Sequence, residues 1–308
     1  MSQPILVTGI YRSGSTWLGQ MLAESEHIKY YGEPFNPINH KVYGISLPSP
    51  FYQLSGNEDI LITKLKNAIG IDKNLNTFLS RLSLNHGLLN NSAKTYRYLN
   101  ALFRCSSFIP LIKDPFALFS AEILAEKLNS DVVIIIRHPA AFVHSVKRMN
   151  WVFNFSWLLD QRSLMKGILL PFEDEINQRK REGYYSSIIK SACLVWKVFH
   201  YVISHYHNRH SNWVYVRHED LSNDPINQFE LIYKLLGLTM TDRVVQAIQR
   251  SSNKQNIVEA PAREAFALNR NSKANIKTWK KHLSEAEIEE IRKLTTPISK
   301  AWYSEADW

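Results

Sequence analysis

The sequence predicts an α/β fold: a central parallel sheet with helices on both faces, in one domain spanning residues 1–308, with helical insertions. Three observations carry this. Short β-branched runs alternate with helical patterns along the chain, as strands joined by helical crossovers do. The run "DVVIII" (131–136) is uniformly apolar and strand-sized, which suits a strand covered on both faces. Near the N-terminus, Ile5, Leu6 and Val7 precede a glycine-containing turn and then a helical pattern from Thr16 to Ala23, with Trp17, Met21 and Leu22 apolar.

The other elements follow in order. Ile28–Tyr31 reads as a second strand. Residues 36–57 concentrate Pro, Gly, Ser and Asn and read as a long loop, a length that usually carries function. Residues 58–105 are helical in pieces, "PLIK" (110–113) is a strand, and Phe116–Leu128 a helix. After the strand at 131–136, Pro139 suits a first helical position, and the helix runs to about Met149. Ser186–Tyr206 is a long helix apolar on most faces, hence buried, and "WVYVR" (213–217) is another strand. Pro225–Leu236 and Ser284–Leu294 are helices, the latter opened by the capping-box pair Ser284 and Glu287.

Composition narrows the partners. The chain has 308 residues, 45% of them apolar, with a formal charge of +9 and a pI near 9.4. That excess suits an anionic ligand, a nucleic acid or an anionic membrane. The cations are scattered, and RNP-like aromatic motifs, zinc spacings and basic heptads are absent, so nucleic acid is not the expected partner. Two cysteines, Cys105 and Cys193, make no disulfide framework. With no signal-peptide pattern and no apolar run of bilayer length, the expectation is a soluble, cytoplasmic protein without a transmembrane segment. Oligomeric state is not legible.

The N-terminal turn, Gly9-Ile-Tyr-Arg12-Ser13-Gly14-Ser15-Thr16, is P-loop-like: it almost fits the phosphate-binding pattern G-x-x-x-x-G-K-[ST]. Strand, turn and helix aim backbone N–H groups at an anion, and Ser13, Ser15 and Thr16 add hydroxyls. Ser15 stands where the lysine belongs, and Arg12 lies three residues earlier. A Mg²⁺-bound triphosphate would lack its side-chain clamp. A shorter anionic tail could use Arg12 instead. A second anchor follows the strongest strand: Arg137 ends it, and Ser145 lies eight residues on, about two helical turns along, so the two could converge on one phosphate.

Together these segments resemble the sulfotransferases that use 3′-phosphoadenylyl sulfate (PAPS). Arg12-Ser13-Gly14-Ser15-Thr16-Trp17 is similar to the family's grip on the 5′-phosphosulfate, [KR]-S-G-[ST]-[ST]-x, and Arg137-His138-Pro139 through Ser145 to its grip on the 3′-phosphate, R-x-P-x-x-x-x-x-S. "RHEDLSNDP" (217–225) resembles Y-E-D-L-x-x-D-P near the adenine, with His218 where tyrosine is usual. "SKANIKTWKKHLS" (272–284) resembles R-K-G-x-x-G-D-W-K through Lys273, Trp279 and Lys280, without the arginine and both glycines. The resemblance runs from residue 4 to about 284. It implies PAPS as sulfuryl donor, no metal, and an acceptor hydroxyl on a small molecule or saccharide.

It also implies catalytic roles. Arg12 faces the transferring group, and Lys113, twenty-four residues before Arg137, matches the position of the family's lysine. Members with a histidine base carry it within about two residues of that lysine. Here the stretch is Lys113-Asp114-Pro115. Branches acting on glycans, tyrosine or glycolipids use a glutamate after the second strand, and "YYGEPFNP" (30–37) supplies Glu33, with Asp114 the second candidate for the base. This favours a carbohydrate or glycolipid acceptor. Two rivals stand beside this reading: a nucleotide or small-molecule kinase with a degenerate P-loop, and a non-catalytic polyanion-binding protein. His205, His207 and His210 loosely resemble metal ligands in spacing but read as the polar end of a long helix. Trp151, Phe153, Phe155 and Trp157 could line an acceptor cleft or pack in the core.

Overall fold

The computed structural model describes residues 3–71, 108–259, 261 and 267–308. Five strands, β1 (Ile5–Gly9), β2 (Ile28–Gly32), β3 (Ile109–Lys113), β4 (Asp131–Ile136) and β5 (Val214–Arg217), form one sheet in the order β2-β3-β1-β4-β5. Every pairing is parallel. The helices used below are α1 (Ser15–Ala23), α2 (Asp59–Ala68), α3 (Ala121–Leu128), α4 (Pro139–Met149), α5 (Ile188–Arg209), α6 (His218–Asn223), α7 (Pro225–Leu235), α8 (Asp242–Ser252) and α9 (Glu285–Ser299).

The two-residue period of the strands divides the core into two layers. Ile5, Val7, Leu111, Val133 and Ile135 face α1, α7 and α8, through Leu18, Leu22, Phe229, Ile232, Val244 and Ile248. Leu6, Ile112, Val132, Ile134 and Ile136 face the opposite layer, built from α3, α4, α5 and α9. Helices therefore cover both faces, and the uniformly apolar β4 is the consequence: its residues 132–136 are all at most 1% exposed.

Local chemistry sets the element ends. Pro139 occupies the first turn of α4, whose N-cap, His138, accepts the Ala140 N–H at Nδ1 (3.3 Å). Asn150 closes that helix in the left-handed region. Ser284 and Glu287 form the expected capping box, and α9 continues beyond Leu294 to Ser299 with Pro297 inside. The helix expected from Phe116 begins as a 3₁₀ segment, Pro115–Ser120, capped by Asp114. Residues 36–57 are mostly loop, as expected, but packed. They include a short helix, His40–Tyr43, and bury Ile45, Phe51 and Leu54. Of the pieces expected over 58–105, α2 is seen, and residues 72–105 lie outside the described ones, as does Cys105. Helix α8 had no counterpart among the elements expected from sequence. Among the described residues, no helix is long and apolar enough to cross a membrane.

The register brings the carboxyl ends of the strands to one edge. Gly32 pairs with Lys113, Val7 with Lys113, Gly9 with Ile135 and Ile136 with Arg217. The residues that leave these ends are Glu33, Asp114, the loop after Gly9, Arg137 and His218, so all five strands feed one crevice, where ligands bind on such sheets.

Candidate active site

A cavity of about 510 Å³ opens at that edge. Its floor is the turn from β1 to α1. Gly9 has φ +149°, and a Cβ there would lie 2.4 Å from the Ile135 carbonyl oxygen. Gly14 has φ +97°, and a Cβ there would lie 2.5 Å from His218 Nδ1. Only glycine meets both demands, backbone handedness and close approach. No side chain caps α1, so the N–H groups of its first turn are left for an anion, with the helix dipole behind them. Arg12 itself adopts φ 62°.

The cationic wall is built from two elements. Arg12 Nε donates to Ser145 Oγ (3.1 Å), which joins the turn to α4. Arg137 Nη1 donates to the Arg12 carbonyl, and the Arg137 carbonyl accepts from Trp196 Nε1 (2.8 Å). Burial, then the proximity of Arg137, Arg148 and Arg270, lowers the Arg12 pKa to about 10. Burial likewise lowers that of Arg137. Among the described residues, Ser13 Oγ, Arg137 Nε and His218 Nδ1 are buried without a hydrogen-bond partner. The guanidiniums of Arg12, Arg137, Arg148 and Arg270, which line one cavity, fit a polyanionic ligand with several acceptor oxygens.

At one end of the cavity, Trp17 Nε1 donates to Ser251 Oγ (2.9 Å), and its ring meets His218 and Phe229 edge-on, at 6.2 and 5.4 Å. Burial, reinforced by Arg137, holds His218 down to about 3, so its imidazole is neutral. A neutral ring beside an indole suits a planar base.

The acid–base groups sit where β2 and β3 end. The Glu33 N–H donates to the Lys113 carbonyl (2.8 Å). One Glu33 carboxylate oxygen takes the Lys113 ammonium, and the other accepts from Asn36 Nδ2 (2.7 Å). Glu33 lines the cavity, and Lys113 is buried behind it. Asp114 is fully buried and does not line the cavity. Its oxygens accept the N–H groups of Phe35 (2.6 Å) and Phe116 (2.9 Å). Burial outweighs those bonds and pushes its pKa up to about 7.

Of the residues singled out from sequence, Arg12, Gly14, Ser15, Thr16, Trp17, Glu33, Arg137, Ser145 and His218 line this one cavity. Ser13, within the turn, is fully buried and is not among the lining residues. Lys273 is exposed in the short helix Ser272–Asn275, and the lining residues of that region are Arg270, Ser272 and Asn275. Arg148, Arg270, Ser251 and Glu259 are lining residues that sequence reasoning missed. Arg148 could have been found, because it follows Ser145 by three residues on one helix face. Arg270 had no such signal. Of the aromatic stretch, Trp151, Phe153 and Trp157 line the cavity, and Phe155 belongs to the core.

The histidines expected to form a polar helix end do so in three environments: His205 contacts Arg209, His207 packs on Tyr215 and Trp302, and His210 bonds Glu122 (2.6 Å). A different set could hold a metal ion. Donor atoms of His144, Glu259 and His282 lie within 4.8 Å of one another, with Arg148 Nε 3.8 Å from the same carboxylate.

Comparison with known proteins shows the family and the fold. The family model described as "Sulfotransferase family" matches residues 4–242. No curated protein matches the chain. Among solved structures, the sulfotransferase domain from the Synechococcus PCC 7002 olefin synthase superposes with TM-score 0.51 at 18% identity, over 99% of this chain and 97% of that one. The sulfotransferase domain from the curacin biosynthetic pathway gives 0.49 at 16% identity, over 96% and 98%. Mouse sulfotransferase SULT7A1, solved with PAP (adenosine 3′,5′-bisphosphate), gives 0.46 at 12% identity, over 100% and 86%.

Proposed function

From the premise that this chain belongs to the sulfotransferase family, we propose that it transfers a sulfuryl group from PAPS to an acceptor hydroxyl, with Arg12, Lys113 and Glu33 at the reacting end. One observation carries the reading. The uncapped start of α1, the Arg12–Ser145 bond and the Arg137 side chain line the same cavity as the Glu33 carboxylate. That is a grip for a doubly anionic nucleotide next to a base.

When bound, PAPS supplies an electrophilic sulfur with a phosphate leaving group. The residues of this chain do the rest. The α1 N-terminus and Ser15 and Thr16 hold the 5′ end, while Arg137 and Ser145 hold the 3′-phosphate. Trp17 and His218 flank the base. Lys273 was expected at the 3′-phosphate, and Arg270 is the better-placed cation. Arg12 stabilises charge on the sulfuryl oxygens. Glu33 takes the proton as the acceptor oxygen forms its bond to sulfur. The sulfur–oxygen bond to the 5′-phosphate breaks with its electron pair on the leaving oxygen. Lys113 holds Glu33 in place before reaction and neutralises the developing negative charge. Ser15 in place of a P-loop lysine argues against the kinase alternative.

The glutamate base is the support for an acceptor of the carbohydrate or glycolipid kind. The lack of a disulfide framework supports a cytoplasmic location. Thermal shift tests the cofactor. PAP should stabilise the protein well beyond ATP·Mg²⁺ or heparin at equal concentration. A larger shift with ATP·Mg²⁺ would favour the kinase, and one with heparin alone a polyanion binder.

A further inference from the structure

Beyond Arg12 and Glu33 the cavity changes character. Among the described residues, this part is lined by the aromatic side chains of Tyr11, Phe51, Phe116, Trp151, Phe153 and Trp157. They come from the β1–α1 turn, the packed loop of residues 36–57, the segment after β3 and the segment after α4. Their rings brace one another. Phe51 stacks on Phe116 at 4.5 Å, Tyr11 lies parallel to Phe153 at 6.5 Å, and Phe153 meets Trp157 edge-on at 5.4 Å. The Arg12 guanidinium lies 5.1 Å from the Trp151 ring centroid, which ties this wall to the reacting end. Tyr11, Phe116, Trp151 and Trp157 are only half-buried, so the wall is more than interior packing.

Among the described residues, polar groups are few at this end. Besides Glu33, the lining offers Asn36 and Asn150. The Asn36 amide is already engaged at both ends, donating to Glu33 and accepting from the Ile38 N–H (3.2 Å). A saccharide presents a hydroxyl on nearly every carbon, and each one buried without a partner weakens binding. A braced aromatic wall rewards apolar surface instead.

We infer that this wall is the acceptor subsite and that the acceptor is an amphipathic alcohol: its hydroxyl meets Glu33 and its alkyl or aryl body lies against Tyr11, Phe116, Trp151 and Trp157. This rests on the sulfuryl-transfer reading and narrows it toward the lipid-like side of a carbohydrate or glycolipid acceptor. The free sugar is the class that the wall disfavours.

The test is binding of 1-alkanols, from butanol to decanol, to PAP-saturated protein by calorimetry, with cellobiose as the polar counterpart. Affinity should rise about fourfold per methylene while the chain stays within the wall. Cellobiose should bind more weakly than hexanol. Trp157→Ser should reduce decanol affinity about tenfold or more while PAP affinity stays within about twofold. A chain-length series that is flat, or cellobiose binding as tightly as hexanol, overturns the acceptor class and leaves sulfuryl transfer standing. The wild-type slope decides this even if the variant fails to fold. Failure of PAP itself to bind overturns both readings.

Discussion

Arg137 and Glu33 carry separable chemistry. Arg137→Ala removes a cavity-lining guanidinium that donates to the Arg12 carbonyl. Losing charge-assisted bonds to one phosphate should cost about 1.5–3 kcal/mol. Calorimetry should show that loss for adenosine 3′,5′-bisphosphate and much less for adenosine 5′-phosphate; equal losses would mean that Arg137 does not read the 3′-phosphate. Glu33→Gln keeps the bond from Asn36 but removes the proton acceptor. Single-turnover rates should fall by about 10²–10⁴-fold, with cofactor affinity nearly unchanged. Asp114→Asn should affect turnover less, because that carboxylate is spent on the Phe35 and Phe116 N–H groups. Near-normal turnover in Glu33→Gln with loss in Asp114→Asn would reverse the roles. Asp114 should show itself in stability. Burial raises its folded pKa from 3.8 to about 7, so between these values the folded state holds a proton that the unfolded state has released. Its contribution is full below the unfolded pKa and is lost as pH rises through about 7. Urea unfolding at several pH values should show a fall in stability from acid to neutral pH that is shallower in Asp114→Asn. An unchanged slope would mean that Asp114 is not the titrating group.

At the scale of elements, the turn from β1 to α1 is the most constrained piece of backbone in the site. Gly14→Ala would need an L residue at φ +97° and would press a methyl into the His218 ring. Strain of this kind costs on the order of 1–3 kcal/mol. Because the turn and His218 both line the cavity, PAP affinity should fall at least about tenfold, and far-UV circular dichroism should stay native. A variant that binds PAP normally would show that the turn relaxes without cost. This turn was legible in the sequence because strand, glycines and helix are adjacent in the chain. So was β4, whose uniform apolarity requires cover on both faces. Arg270 was not legible: no periodicity links it to Arg12, and only the tertiary fold brings them together. The packing of the loop of residues 36–57 was not legible for a related reason. Its Pro and Gly residues signal turns, but Ile45, Phe51 and Leu54 are single apolar positions whose burial depends on distant partners. Lys113 was implied by the family resemblance, yet only the structure shows its ion pair with Glu33.

At the scale of the whole molecule, the ligand site is also a fault line. The arginines that crowd Arg12, itself in the β1–α1 turn, come from the end of β4, α4 and the segment near residue 270, and burial together with mutual repulsion lowers the Arg12 pKa. A bound bisphosphate would bridge all four segments and relieve that repulsion, so binding and global stability should be linked. At a ligand concentration of about 100 Kd the linkage is worth about 2.7 kcal/mol. Unfolding entropy scales with length, so for 308 residues this corresponds to a melting-temperature rise of roughly 4 °C. The stabilisation should be electrostatic in origin. In 1 M NaCl the Debye length shrinks to about 3 Å, and the PAP-induced shift at fixed ligand concentration should fall markedly while the melting temperature of the free protein changes little or rises. Adenosine, which can use Trp17 and His218 but offers no phosphate, should give a small shift that salt does not diminish. Differential scanning fluorimetry across ligand and salt separates the two contributions. If PAP and adenosine stabilise equally, or if the PAP shift is independent of salt, the arginines are structural partners of one another's surroundings and not the grip on the nucleotide.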